Sequence, residues 1–193
     1  MTETQLIEGI LSKQEKYFEE LVNRFQPLVL NTCNSFLHNR TDAEDISQEV
    51  FIEAFLSLHK FKKESKLSTW LYRIAVNKSL NFIRDNKKRK IIRSIEVFFG
   101  GEPKHKLQLA DPGLEDAGDL ADEEEKMALL HRAVASLPKN QRVAFTLSKF
   151  EKLSYVEIAD VMELSLASVE GLIHRAKRNV TKKILSHYQK KIA

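Results

Sequence analysis

The chain has a single cysteine, Cys33, in 193 residues. It cannot close an internal disulfide, and with no CxxC pair or Cys/His cluster the sequence offers no ligand set for zinc. Proline and glycine are also scarce, at four and six, and four of the six glycines fall within residues 100–125. Elsewhere little interrupts helical periodicity. Strand signals are nearly absent; only residues 91–99 (IIRSIEVFF) carry the β-branched and aromatic bias of a strand. No apolar run approaches the roughly 20 residues that span a bilayer, so no membrane insertion is expected. The start, MTETQLIEG, lacks the basic flank and apolar core of a secretory signal, which leaves a reducing cytoplasm as the expected location. Catalytic motifs are missing too. There is no GxxxxGK loop and no HExxH, and His38, His59, His105, His131, His174 and His187 are scattered. No enzyme, no cofactor and no metal site is expected.

What the chain does have is charge, unevenly placed. Residues 1–59 hold 4 basic and 10 acidic side chains, and residues 60–93 hold 12 basic and 2 acidic. Residues 94–125 hold 2 basic and 10 acidic, and residues 126–193 hold 13 basic and 5 acidic. The overall +4 therefore conceals two basic blocks separated by acid-rich sequence. That pattern fits two polyanion-binding surfaces, although a charged block is as readily a solvated face.

The apolar pattern predicts an all-α chain of two small helical domains. Thr2 with Gln5 forms a first cap, and a long periodic run over residues 15–37 contains Pro27. Thr41 with Glu44 has the spacing of a capping box opening a helix to about Lys60. Its stripe Ile46, Val50, Phe51, Ala54, Phe55 and Leu58 should face a core. Ser68 is placed to cap the next helix. Residues 100–125, with two of the four prolines and nine acids, read as a linker, and helices resume near Ala121. Pro138 marks another helix start, Ser154 with Glu157 another capping box, and Glu163, Leu164 and Ser165 a break.

Residues 153–183 (LSYVEIADVMELSLASVEGLIHRAKRNVTKK) have the spacing of a helix-turn-helix. On its second helix Val169, Ile173, Ala176, Val180 and Ile184 form an inward stripe, while Ser168, Gly171, Arg175, Arg178 and Lys182 recur on the opposite side. A helix whose early residues reach base edges and whose later cations hold phosphates has this layout; an ordinary amphipathic hairpin is the alternative.

DAEDISQEVFIEAF (42–55), STWLYRIAVNKSLNFIR (68–84) and SLPKNQRVAFTL before the helix-turn-helix occur in this order. Together they resemble bacterial sigma factors of the small extracytoplasmic-function (ECF) group of the sigma-70 family. The resemblance implies a sigma-2-like domain over 1–93, an acidic linker over 94–123 and a sigma-4-like domain over 124–193. It also implies a partner, core RNA polymerase, with its β′ clamp and β subunits, and a role in promoter-specific initiation that includes melting. Asp45, Gln48, Glu49 and Ile52 would dock on the polymerase. Lys63, Lys66, Leu67, Trp70, Arg73, Asn77, Asn81, Arg84, Lys87 and Lys88 would engage the minus-ten element, with Asn77 and residues 63–67 around a base flipped from single-stranded DNA. Lys62, Arg89 and Lys149 would add backbone contacts. Lys152, Ser168, Gly171, Arg175, Lys177 and Arg178 would engage the double-stranded minus-thirty-five element. Glu170, Gly171 and Leu172 depart from the basic or hydroxyl-bearing series common in the family. An anti-sigma factor is a further implied partner. The competing reading is a duplex-operator regulator whose N-terminal domain senses or dimerises, and a single lone Trp such as Trp70 is as readily packing.

Overall fold

The computed structural model describes the backbone over residues 1–98 and 118–192, and side chains over 1–89 and 125–189. Among the described residues the chain is helical throughout, with no strand. The N-terminal lobe consists of α1 (Glu3–Leu11), α2 (Glu15–Leu37), α3 (Arg40–Ser57) and α4 (Leu67–Phe98), with a 3-10 turn at Leu58–Lys60. The C-terminal lobe consists of α5 (Gly118–Ala135), α6 (Lys139–Lys149), α7 (Tyr155–Met162) and α8 (Leu166–Ile192).

Local chemistry sets most of the boundaries. Thr2 and Gln5 form a reciprocal capping box, as do Ser154 and Glu157. Pro138 is the N-cap of α6, with extended backbone that closes α5 before the new helix begins. At the start of α3 the expected box does not form. His38 ends α2 in the left-handed region, which leaves Asn39 extended, and its side chain accepts from the Asp42 amide at 3.0 Å. Asn39, not Thr41, is the cap. Likewise α4 begins one residue before Ser68, at Leu67, whose amide donates to the Glu3 carboxylate at 3.4 Å. The strand bias of residues 91–99 is overridden as well: α4 stays helical to Phe98, and Phe99 lies outside the described residues. Propensity over so short a run is a weak preference beside propagation of an established helix. Both α4 and α5 run into the segment 94–123 expected to link the domains.

In the N-terminal lobe Leu21, Val29, Cys33, Val50, Leu71 and Ala75 bury fully between α2, α3 and α4. Helix α1 lays Leu6, Ile7 and Ile10 on this core. Gly9 lets α1 approach closely, since a β-carbon there would stand 2.2 Å from the Tyr17 ring. In the C-terminal lobe Ala133, Val134, Leu137 and Phe145 close against Ala176 and Val180 of α8.

A third apolar cluster joins the lobes. Phe36 of α2 and Val76 and Leu80 of α4 bury with Val143, Leu147, Ile158 and Val161 of the C-terminal lobe. Polar links surround this seam. Glu151 accepts from the Ser35 hydroxyl at 2.6 Å and the Thr32 hydroxyl at 3.3 Å, and the His38 and His131 rings stack at 3.7 Å with 9° between planes. Burying a Val, Leu or Phe side chain is worth roughly 1.5–3 kcal/mol, whereas a surface ion pair contributes about 0–1 kcal/mol. The apolar seam therefore outweighs the ionic contacts beside it.

Candidate nucleic-acid interface

Three surfaces follow from these helices. On α3 the core takes Ile46, Val50, Phe51 and Ala54, so the residues between them face outward. Asp45, Gln48, Glu49 and Ile52 are all exposed and step along one side at intervals of three and four. The series continues through Leu56, 62% exposed, and Phe55 lies beside it, 46% exposed. Phe55 therefore departs from the core role expected of it; it meets Phe18 edge-on at the rim, with ring centroids 5.0 Å apart. The periodic stripe was one residue too wide, because nine residues past Ile46 the helix has turned two and a half times and carries Phe55 to the rim. The result is an acidic and amide stripe ending in an apolar patch, with Lys78 of α4 reaching Glu49 at 3.4 Å and Glu53 at 3.9 Å.

On α4, Asn77, Asn81 and Arg84 are exposed at helical spacing, and Lys66, Lys87 and Lys88 are exposed at either end. Lys63 is exposed in the loop before the helix, 3.9 Å from Glu8. Arg84 pairs with its neighbour Asp85 at 3.0 Å on the open surface. Two expected contact residues are elsewhere. Leu67 is fully buried in the lobe core, and half-buried Trp70 packs on Phe61 with centroids 5.3 Å apart. An apolar side chain at the first turn of a helix that crosses the core is drawn inward, so the Leu67 side chain is withdrawn from the surface. Arg73 is also committed: its guanidinium meets Glu163 at 2.9 Å and donates to the Asp160 carbonyl at 2.6 Å. With Asn77 and Leu80 it lines a pocket of about 220 Å³ whose far wall is Lys139, Asn140, Val143, Val161, Met162 and Glu163.

On α8 the expected sides are realised. Val169, Ile173, Ala176 and Val180 are buried and Ile184 packs against them, while Ser168, Arg175, Lys177, Arg178 and Lys182 are exposed. The helix opens with Ser165, whose hydroxyl accepts from the Ser168 amide at 3.3 Å. Gly171 leaves space for Arg175 to lie back along the helix: a β-carbon there would stand 3.2 Å from its guanidinium. Leu172 is half-buried in the seam cluster and Glu170 is exposed. Lys149 and Lys152 are exposed before α7.

Sequence patterns missed the groups between the lobes. The histidines taken as scattered include the stacked pair His38 and His131. Burial, then His131 and Arg142 nearby, hold His38 down to about 4. Burial raises the Glu151 carboxyl above its ordinary range despite the two hydroxyls that hydrogen-bond to it. No local signal marks such contacts, because each partner lies about a hundred residues away. Among the described residues no group of three or more His, Cys, Asp or Glu could hold a metal ion, and no helix is long and apolar enough to cross a membrane.

The class these features define is a two-lobed helical protein with a helix-turn-helix and a separate basic helical face for nucleic acid. Comparison with known proteins narrows it. The family model "Sigma-70 region 2" matches residues 21–89, and "Sigma-70, region 4" matches residues 127–180. The chain is 34% identical to the RNA polymerase sigma-H factor of Pseudomonas aeruginosa, over 92% of this chain and 91% of that one. It is 30% identical to the ECF RNA polymerase sigma-E factor of Escherichia coli K12, over 95% of each. Its fold resembles that of CnrH, solved in complex with the cytosolic domain of CnrY, with a TM-score of 0.61 at 22% identity over 94% of this chain and 96% of that one. It also resembles the sigma factor RpoE of Bartonella quintana, solved with the anti-sigma factor NepR, with a TM-score of 0.57 at 22% identity over 88% and 97%. The chain belongs to the sigma-70 family, in its ECF group.

Proposed function

We propose that the chain is a promoter-specificity subunit that binds core RNA polymerase, directs initiation and assists melting of the minus-ten element. The observation that carries this reading is the separation of two cationic faces onto two lobes while α3 carries none. Arg175, with Lys177, Arg178, Lys149 and Lys152, suits the major groove and its phosphates, where a bidentate cation reads guanine edges. Glu170 favours no phosphate but can accept from a cytosine amino group. Asn77, with Asn81, Arg84 and the lysines around them, suits a melted strand, where an amide pairs with the edge of an extruded base. Extrusion costs a few kcal/mol, which pocket and phosphate contacts must offset. Leu67 and Trp70 support the loop from within rather than touch DNA.

The stripe Asp45, Gln48, Glu49 and Ile52, extended by Phe55 and Leu56, suits an arginine-rich helical partner such as the polymerase β′ clamp. An anti-sigma protein that silenced the chain would cover the same stripe. The protein acts where RNA polymerase does, in the cytoplasm, as a non-catalytic factor.

In vitro transcription with purified core polymerase on randomised promoters tests the reading. The expected result is RNA from new start sites sharing two upstream elements; no association with core and no change in initiation would sink it. Asp45→Arg with Glu49→Arg should lower core affinity tenfold or more, since it places like charges against a basic partner.

A further inference from the structure

We propose that the lobes meet around a binding site for a small tetrahedral oxyanion, free phosphate or sulfate, held by Arg142 and Thr146 of α6 together with the stacked rings of His38 and His131. Arg142, Thr146 and Phe150 follow one another at four-residue steps and so share one side of α6. Phe150 stands edge-on to both rings, with centroids 6.3 Å from His38 and 6.1 Å from His131. Arg142 lies close enough to His38 to oppose its protonation. The histidine pair therefore covers this side of the helix, with Thr146 midway along it. Two donors there have no partner: the Arg142 Nε and the Thr146 hydroxyl are both buried without a hydrogen bond. Thr146 is 1% exposed, and a threonine inside a helix commonly bonds back to the carbonyl of the preceding turn. Here it does not, and a buried polar group left unpaired is costly.

Charge is uncompensated as well. Among the described residues Arg142 has no ion pair, and burial disfavours its charged form. Glu151, the carboxylate closest to it along α6, is taken by the Ser35 and Thr32 hydroxyls. A guanidinium, a spare hydroxyl and two imidazoles are the complement of an anion whose oxygens accept hydrogen bonds. A cation would be repelled, and a neutral ligand would leave the guanidinium without a counter-charge. A planar carboxylate fits the guanidinium fork alone. The hydroxyl one turn on, about 5.4 Å along the axis, calls for an acceptor in a second direction, which a tetrahedral ion supplies. Half-buried His131 and Arg142 leave the outer edge open to solvent. An opening of that kind suits a free ion better than a phosphate fixed in a DNA backbone. The bound ion joins His38 of one lobe to Arg142 and His131 of the other.

The test follows the imidazole resonances of the full chain by NMR while inorganic phosphate is added in a chloride buffer of constant ionic strength. His38 and His131 should shift together and saturate, while exposed His59 and His174 report the general effect of salt. With saturating sulfate, which keeps its charge in acid, the titration midpoint of His38 should rise by about one unit, a tenfold gain for its protonated form. Arg142→Gln should weaken phosphate tenfold or more. Thr146→Val, which keeps the shape and removes the hydroxyl, should weaken it about two- to fivefold. Circular dichroism checks helicity, and Thr146→Val decides alone if Arg142→Gln does not fold. Random single-stranded DNA at equal phosphate concentration should not reproduce the shifts; if DNA does so and the free ion does not, the free-ion site is wrong. Shifts of His38 and His131 that stay linear and match those of His59 and His174 overturn the proposal, and so does saturation that neither substitution alters.

Discussion

Helices α4 and α8 are both long, amphipathic and basic on one side, yet they stand in opposite situations. The polar side of α8 is clear of the rest of the protein, with Ser168, Arg175 and Arg178 all exposed. The corresponding side of α4 is partly taken: Arg73 is tied to α7, and Val76 and Leu80, one and two turns on, are buried against α6 and α7. Rigid duplex can be read by a helix that simply presents its side chains. A flipped base needs a pocket and a strand path, and here the groups that would form them share space with the other lobe. Availability, more than charge, distinguishes the two faces.

The largest effects should come from removing one reader at a time. Arg175→Ala should weaken binding of a duplex carrying the minus-thirty-five element about tenfold or more, while leaving open-complex formation on a pre-melted promoter nearly unchanged. Asn77→Ala should do the reverse, harming open-complex formation by permanganate footprinting more than duplex association by gel shift. If both variants lose the same activities equally, the division between the faces is wrong.

A smaller effect of about 1–2 kcal/mol sharpens the contrast through pH. His38 resists protonation, first because it is buried and then because His131 and Arg142 lie near, so its folded value is about 4 against 6.5. Its contribution to the folded form is complete above about pH 6.5 and declines as pH falls toward 4, because the unfolded chain binds the proton more readily. His131, also lowered by burial, acts in the same direction. Glu151, raised by burial, opposes them, since protonation relieves its desolvation. Denaturant midpoints should fall from pH 7 to pH 5, and His38→Phe, which keeps a ring over His131 and Phe150, should flatten that decline. The size allows for solvent screening of groups only half withdrawn from water. A midpoint independent of pH in the parent chain, or a decline unaltered by His38→Phe, would remove the histidine pair from the seam's energetics.

Much of this was readable in order along the chain, where neighbours in sequence are neighbours in space. The caps at Thr2, Pro138 and Ser154, the break at Glu163, and both sides of α8 follow from local rules. The outward run Asp45, Gln48, Glu49 and Ile52 follows from period alone. Failures had two sources. Asn39 displaced Thr41 as a cap because the left-handed His38 shifted where α2 ended, a detail of backbone rather than composition. Leu67, Trp70, Phe55 and the whole lobe seam depend on tertiary packing. Glu151 meeting Ser35, or Arg73 meeting Glu163, leaves no trace in either local stretch.

The last comparison sets one substitution against itself in the two lobes, and its C-terminal half is the smallest effect predicted. Gly9→Ala should destabilise the N-terminal lobe by about 1–3 kcal/mol, because the new methyl would stand 2.2 Å from a ring held between α1 and α2. Gly171→Ala should instead stabilise the C-terminal lobe by about 0.5–1 kcal/mol, because alanine restricts the unfolded chain and favours helix. Its nearest obstacle is the free end of exposed Arg175 at 3.2 Å, which swings aside at little expense. Thermal melts of both variants check the signs. Duplex affinity of Gly171→Ala then decides a further point: if it is unchanged, Arg175 reaches DNA from any rotamer, and if it drops, Gly171 is kept to let that arginine lie along the helix.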